Sequence, residues 1–135
     1  MPTDYEISRL LNDITRATVS DGLYWVMIPA PDSLAEGTND LFPVYLQTKY
    51  KSQSIGLYER RYRDYFPDFD GFMWTSRIGI AFFDQFNRVA WEHEEPSVAL
   101  NNLFKVARDS ASGIDDIFSN LLGNNVQRGG GAEVS

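Results

Sequence analysis

The sequence predicts an α+β fold: an antiparallel β-meander of about five strands with the N- and C-terminal helices packed on one face of the sheet. Three observations predict it. Residues 72–95 hold two runs of alternating apolar side chains around a polar turn, the pattern of a β-hairpin. Apolar residues at both ends of the chain recur at helical spacing, and they are the only segments long enough to cover the apolar hairpin face. All strand-like runs follow one another between these helices, and a meander is the economical topology for that order.

The chain has 135 residues, 43% of them hydrophobic and 23% charged, which fits one globular domain, expected over residues 1–122. Residues 123–135 include Gly129-Gly130-Gly131 and few apolar side chains, so they are expected to form a flexible tail. Twelve Lys and Arg against 19 Asp and Glu give a formal charge of −7, which argues against nucleic-acid binding through the overall field. With no cysteine there is neither a disulfide framework, a thiolate metal site nor a Cys nucleophile. The first helix opens on acidic Asp4 and Glu6, unlike a signal peptide, and no stretch reaches membrane-spanning length. Cytoplasmic residence without membrane association is the expectation.

In chain order, Thr3-Asp4-Tyr5-Glu6 matches a capping box and predicts a helix start. Ile7, Leu10, Leu11 and Ile14 form its apolar stripe until Asp21-Gly22 ends it. Leu23 to Ile28 is rich in aromatic and branched residues and predicts the first strand, stopped by Pro29 and Pro31. From Pro29 to Asp40, Leu34 is the only large apolar residue, which predicts a mobile surface loop. Leu41 to Tyr50 alternates Val44, Leu46, Thr48 and Tyr50 against Tyr45, Gln47 and Lys49, and Lys51-Ser52-Gln53 turns it into a strand from Ser54 to Tyr62. Pro67 to Gly71 then breaks the pattern.

The central hairpin presents Ile78, Ile80, Phe82, Val89 and Trp91 on one face, with Ile80, Phe82 and Trp91 expected to be buried with Leu10, Leu103 and Phe104. Its turn, Asp84-Gln85-Phe86-Asn87, suits closure by the Asp84 carboxylate and a left-handed Asn87. Beyond Glu95-Pro96-Ser97, Leu100, Leu103, Phe104 and Ala107 predict a helix, interrupted at Ser112-Gly113. Ile114, Ile117, Phe118, Leu121 and Leu122 then form a fresh stripe behind Asp115 and Asp116. This layout, with Gly113-Ile114-Asp115-Asp116-Ile117 after a Leu/Phe-rich helix, resembles small bacterial proteins of unknown function in which a meander lies between two helices. The resemblance supports the fold and implies no activity.

The most unusual stretch is Tyr58-Glu59-Arg60-Arg61-Tyr62-Arg63-Asp64-Tyr65-Phe66. From 58 to 74 seven residues of seventeen are aromatic, against 14% over the chain, with three arginines among them. Arginine interleaved with aromatics is the makeup of a recognition surface, so Tyr58, Arg60, Arg61, Tyr62, Arg63 and Tyr65 are the candidate binding residues. Period 2 sets Arg60 and Tyr62 on one face and Arg61 and Arg63 on the other, so at least one pair is expected to be exposed whichever face meets the core. The structural reading makes Tyr58, Phe72 and Trp74 core and pairs the arginines with Glu59, Asp64, Asp68 and Asp70. A nucleic-acid surface, with Tyr62 or Tyr65 stacking bases beside Lys49 and Lys51, conflicts with the acidic ends of the chain.

No catalytic, metal or cofactor site is read. His93, the only histidine, points away from Glu92 and Glu94 on a strand, and Asp68-x-Asp70-Gly71 lacks the remaining ligands of a calcium loop. There is no phosphate-binding glycine loop, dinucleotide fingerprint or nucleophilic serine motif. The expected function is therefore non-catalytic: an accessory, inhibitor or immunity-like protein acting through a protein partner or self-association. The alternative is a small-molecule binder or enzyme with an aromatic sheet pocket lined by Tyr58, Arg60, Tyr62 and His93.

Overall fold

A computed structural model describes residues 1–123. Helix α1 (Asp4–Ser20) starts at the expected capping box: the Glu6 amide donates to Thr3 Oγ1 at 3.1 Å and the Thr3 amide to Glu6 Oε1 at 2.9 Å. Strands β1 (Val26–Met27), β2 (Leu41–Tyr50), β3 (Gln53–Phe66), β4 (Gly71–Phe83) and β5 (Val89–His93) pair in sequence order, every pair antiparallel. Helices α3 (Val98–Ser112) and α4 (Ile114–Leu122) follow, divided at Gly113, whose left-handed backbone (φ 67°) ends one helix and opens the next. The architecture is the expected α+β meander with α1 and α3 packed on one sheet face. The expected tail lies, apart from Gly123, outside the described residues.

The main core forms where Leu11 and Ile14 of α1 and Leu100 and Leu103 of α3 meet Leu46, Leu57 and Ile80 of the sheet, all of them buried. Of the expected central set, Ile80, Leu103 and Phe104 are buried, while Phe82, Trp91 and Leu10 are half-buried against the same cluster. They border an open cleft at the β5 edge, where the first turn of α1 covers them incompletely.

Four expectations need correction. The first strand is only Val26–Met27, because the chain before it bonds to helices and side chains instead of a ladder. The Trp25 indole N–H donates to Thr18 Oγ1 at 3.0 Å, the Trp25 amide to Ser110 Oγ at 3.3 Å, and Thr48 Oγ1 donates to the Tyr24 carbonyl at 2.7 Å. The loop from Pro29 to Asp40 contains a short helix α2 (Asp32–Ala35), and Leu34 is buried against Tyr45, Tyr58, Ala81 and Phe83, a second core on the face opposite the main helices.

Val89 belongs to that second core, not to the face of Trp91. The register moves from Phe82↔Trp91 to Phe83↔Val89, so a bulge at Ala90 turns Val89 over. A bulge between Leu41 and Val44, where Pro43 interrupts the ladder, likewise sets Phe42 on this face, 5.5 Å edge-on to Tyr58. Finally, β3 runs to Phe66 rather than Tyr62, because Arg61 to Phe66 find partners in Ser76 to Gly71 of β4.

The turns obey local rules. Lys51 and Ser52 both have positive φ (50° and 68°), the sign that a two-residue hairpin turn requires. In the next turn Asp84 Oδ1 accepts from the Phe86 and Arg88 amides and Asn87 is left-handed (φ 62°), as expected.

Candidate functional site

The segment 58–74 divides into two regions. The first lies on the sheet face opposite α1 and α3. Tyr58, fully buried, lies over Gly79 of β4, where an added Cβ would come within 2.5 Å of its ring. Only glycine leaves room for the phenol there. Tyr58 Oη donates between the two carboxylates, 2.8 Å from Glu92 Oε2 and 2.6 Å from Glu94 Oε2. Burial first, then these bonds to carboxylates, push its pKa well above the ordinary phenol value.

Arg60 sits next to it, with its side chain 12% exposed. Its Nη1 reaches Asp40 at 2.7 Å, its Nε Glu94 at 2.7 Å and its Nη2 Glu92 at 3.2 Å, and the guanidinium lies 4.8 Å from the Phe42 ring centre. Burial opposes the charge, but the bonds to Asp40 and Glu94 outweigh it and raise the pKa further. Each guanidinium nitrogen donates one N–H to a carboxylate, and the second N–H of Nη1 and of Nη2 has no carboxylate partner among the described residues. These partners differ from the expected Glu59, Asp64, Asp68 and Asp70. Tyr62 continues this face and accepts from Arg77 Nη2 at 2.5 Å, and Arg77 Nη1 lies 3.7 Å from Glu94.

Tyr58 is buried, and Arg60 is held by three carboxylates while also lining a surface concavity with Asp40, Tyr62, Arg77 and Glu94. His93 pairs with Ile80, a residue of the helix-covered face, whereas Tyr58 pairs with Gly79 on the opposite face. Tyr58, Arg60, Tyr62 and His93 therefore do not line one pocket. His93 stacks on Trp91, with ring centres 5.7 Å apart. Among the described residues no group of three or more His, Asp or Glu is placed to hold a metal ion.

The second region is an arm. β2 pairs with β3 no further than Arg61, and β5 pairs with β4 no further than Ile80. Beyond these points β3 and β4 pair only with each other, from Tyr62↔Thr75 to Phe66↔Gly71, then close through a 3₁₀ turn (Pro67–Phe69) and left-handed Asp70. From Tyr62 to Phe66 the ribbon extends roughly 17 Å past the sheet. Tyr65 and Phe72 pack edge-to-face at 5.5 Å, Phe66 and Phe69 stack at 5.7 Å, and the Tyr65 hydroxyl donates to Asp70.

The arm holds together, yet its apolar surface is uncovered: Phe69 and Phe72 are each 61% exposed, Met73 48%, Trp74 46% and Tyr65 45%. Tyr65, Phe72 and Trp74 extend the sheet face that α1 and α3 cover elsewhere, together with Arg61 and Arg63. Both arginines are exposed, Arg63 lies 5.0 Å over Phe72, and among the described residues neither forms an ion pair. Of the six candidates, Arg61, Arg63 and Tyr65 stand on this surface, while on the opposite face Arg60 and Tyr62 are half-buried and Tyr58 is buried. Phe72, Met73 and Trp74 were not among the candidates, although the aromatic density of 58–74 included two of them.

Among the described residues no helix is long and apolar enough to cross a membrane. No protein-family model matches the chain, and no curated protein or solved structure shows significant similarity to it.

Proposed function

We propose that the chain is a non-catalytic, cytoplasmic protein-interaction protein, an accessory, inhibitor or immunity-like factor, that engages protein through the β3–β4 arm. The observation that carries this reading is the exposed row of Tyr65, Phe72 and Trp74 beside Arg61 and Arg63, on a ribbon that, among the described residues, has no neighbouring strand beyond Arg61 and Ile80. Exposed aromatics flanked by arginine are the side chains that most often anchor protein interfaces. A contiguous apolar patch on a projecting element commonly marks an interaction site.

The test replaces Trp74 with a photo-reactive aromatic amino acid in the native host and identifies what it captures. A protein adduct from position 74, missing when the same group replaces exposed Phe86 on the far turn, is the expected result. Labelling at both positions alike, or at neither, refutes the reading.

A further inference from the structure

The face that α1 and α3 cover over the body of the sheet continues onto the arm, where none of the helices among the described residues lies above it. Another amphipathic helix is the element that fits such a face. The chain carries one without cover: α4 has no buried residue, and Ile117, Phe118, Leu121 and Leu122 are 43%, 58%, 79% and 67% exposed. At i, i+1, i+4 and i+5 these residues form a single stripe. A nine-residue helix is too short to be stable by itself in water, so it gains from a surface to lie on.

The two orphan surfaces match in size and in sign. α4 is about 13 Å long, against roughly 17 Å of arm. The arm face carries Arg61 and Arg63, whereas α4 carries Asp115 and Asp116 in its first turn and no basic residue. Two α4 helices meeting on these faces would bring like charges together, whereas the Arg61 and Arg63 end of the arm, away from Asp68 and Asp70 at its tip, offers α4 the opposite charge.

We propose that α4 of a second copy of this chain docks on the helix-side face of the arm, with Leu121 and Phe118 against Trp74 and Phe72 and Asp115, at the flank of the stripe, toward Arg61 and Arg63. One such contact is small. Repeated reciprocally about a two-fold axis, it forms a closed dimer in which each arm holds the other copy's α4. The inference rests on the arm being an interaction surface and names its occupant.

The test is sedimentation velocity of the full chain over a concentration series. Wild type is expected to dimerise, and Trp74→Ser on the arm or Leu121→Ser on α4 each weakens dimerisation by about tenfold or more. Both positions are solvent-exposed, so the unfolding midpoint stays within error of wild type and misfolding is separately detected. Arg61→Glu with Arg63→Glu also breaks the dimer, and adding Asp115→Arg to the same chain restores part of it. A monomeric wild type, a dimer indifferent to either single change, or no rescue by the charge swap overturns the proposal. If Leu121→Ser has no effect while position 74 still cross-links a different protein, the arm remains an interaction surface and only its assignment to α4 falls. If position 74 captures nothing and Trp74→Ser changes nothing, both fall.

Discussion

Arg60→Ala is expected to be among the more damaging single changes at the sheet, although the residue looks like a surface arginine in the sequence. Its side chain is 12% exposed and meets Asp40, Glu92 and Glu94, which are 21%, 39% and 18% exposed. Removing it leaves three carboxylates facing one another, with two of them largely shielded from water. Breaking a buried pair by removing one partner costs about 3–5 kcal/mol. Because water reaches Glu92 in particular, the expected loss lies just below that range, at about 2–3 kcal/mol. The assay is urea unfolding, with the change read from the midpoint at constant slope.

Two controls separate the causes. Arg60→Lys keeps the charge but loses the fork, and should recover less than half of the loss. Adding Glu94→Gln to Arg60→Ala should recover part of it, because the deficit comes from unpaired carboxylates rather than from the missing side chain alone. A loss below about 1 kcal/mol for Arg60→Ala would refute the reasoning and show the network to be an ordinary solvated surface cluster.

Three further outcomes follow from the same coordinates. Gly79→Ala should cost about 1–3 kcal/mol in the same assay, since the Tyr58 ring must leave its place over the strand; a neutral effect would show that the ring relaxes freely. The Tyr58 pKa is raised on folding, so above about pH 10 the unfolded chain loses that proton first and stability falls with rising pH by up to about 1.4 kcal/mol per pH unit. Tyr58→Phe should flatten the alkaline decline by one phenol's share, and an unchanged slope in that variant would contradict the assignment. Lys51→Asn with Ser52→Gly should raise stability by about 0.5–1 kcal/mol, because both positions have positive φ; a loss in thermal or urea unfolding would mean that these side chains make contacts worth more than the relieved strain.

Features that depend on a few neighbouring residues are readable from the chain alone. Thr3 and Glu6 cap α1, Asp84 and Asn87 close their turn, and the apolar stripes of α1 and α3 meet the sheet where their spacing says they should. Composition likewise singled out residues 58–74, which do hold the arm. Period 2 separated Arg60 and Tyr62 from Arg61 and Arg63, but which pair stayed exposed depended on what covered each face. Arg60 is neutralised by groups 20 and 34 positions away, whereas a local reading could only offer its sequence neighbours. Val89 changes face through a bulge imposed by pairing with β4, and β3 outruns β2 because strand length is set by where partners end. Side-chain alternation is a property of one strand. Burial, ion pairing and projection depend on several segments meeting, and that meeting, not local pattern, left the arm and α4 uncovered.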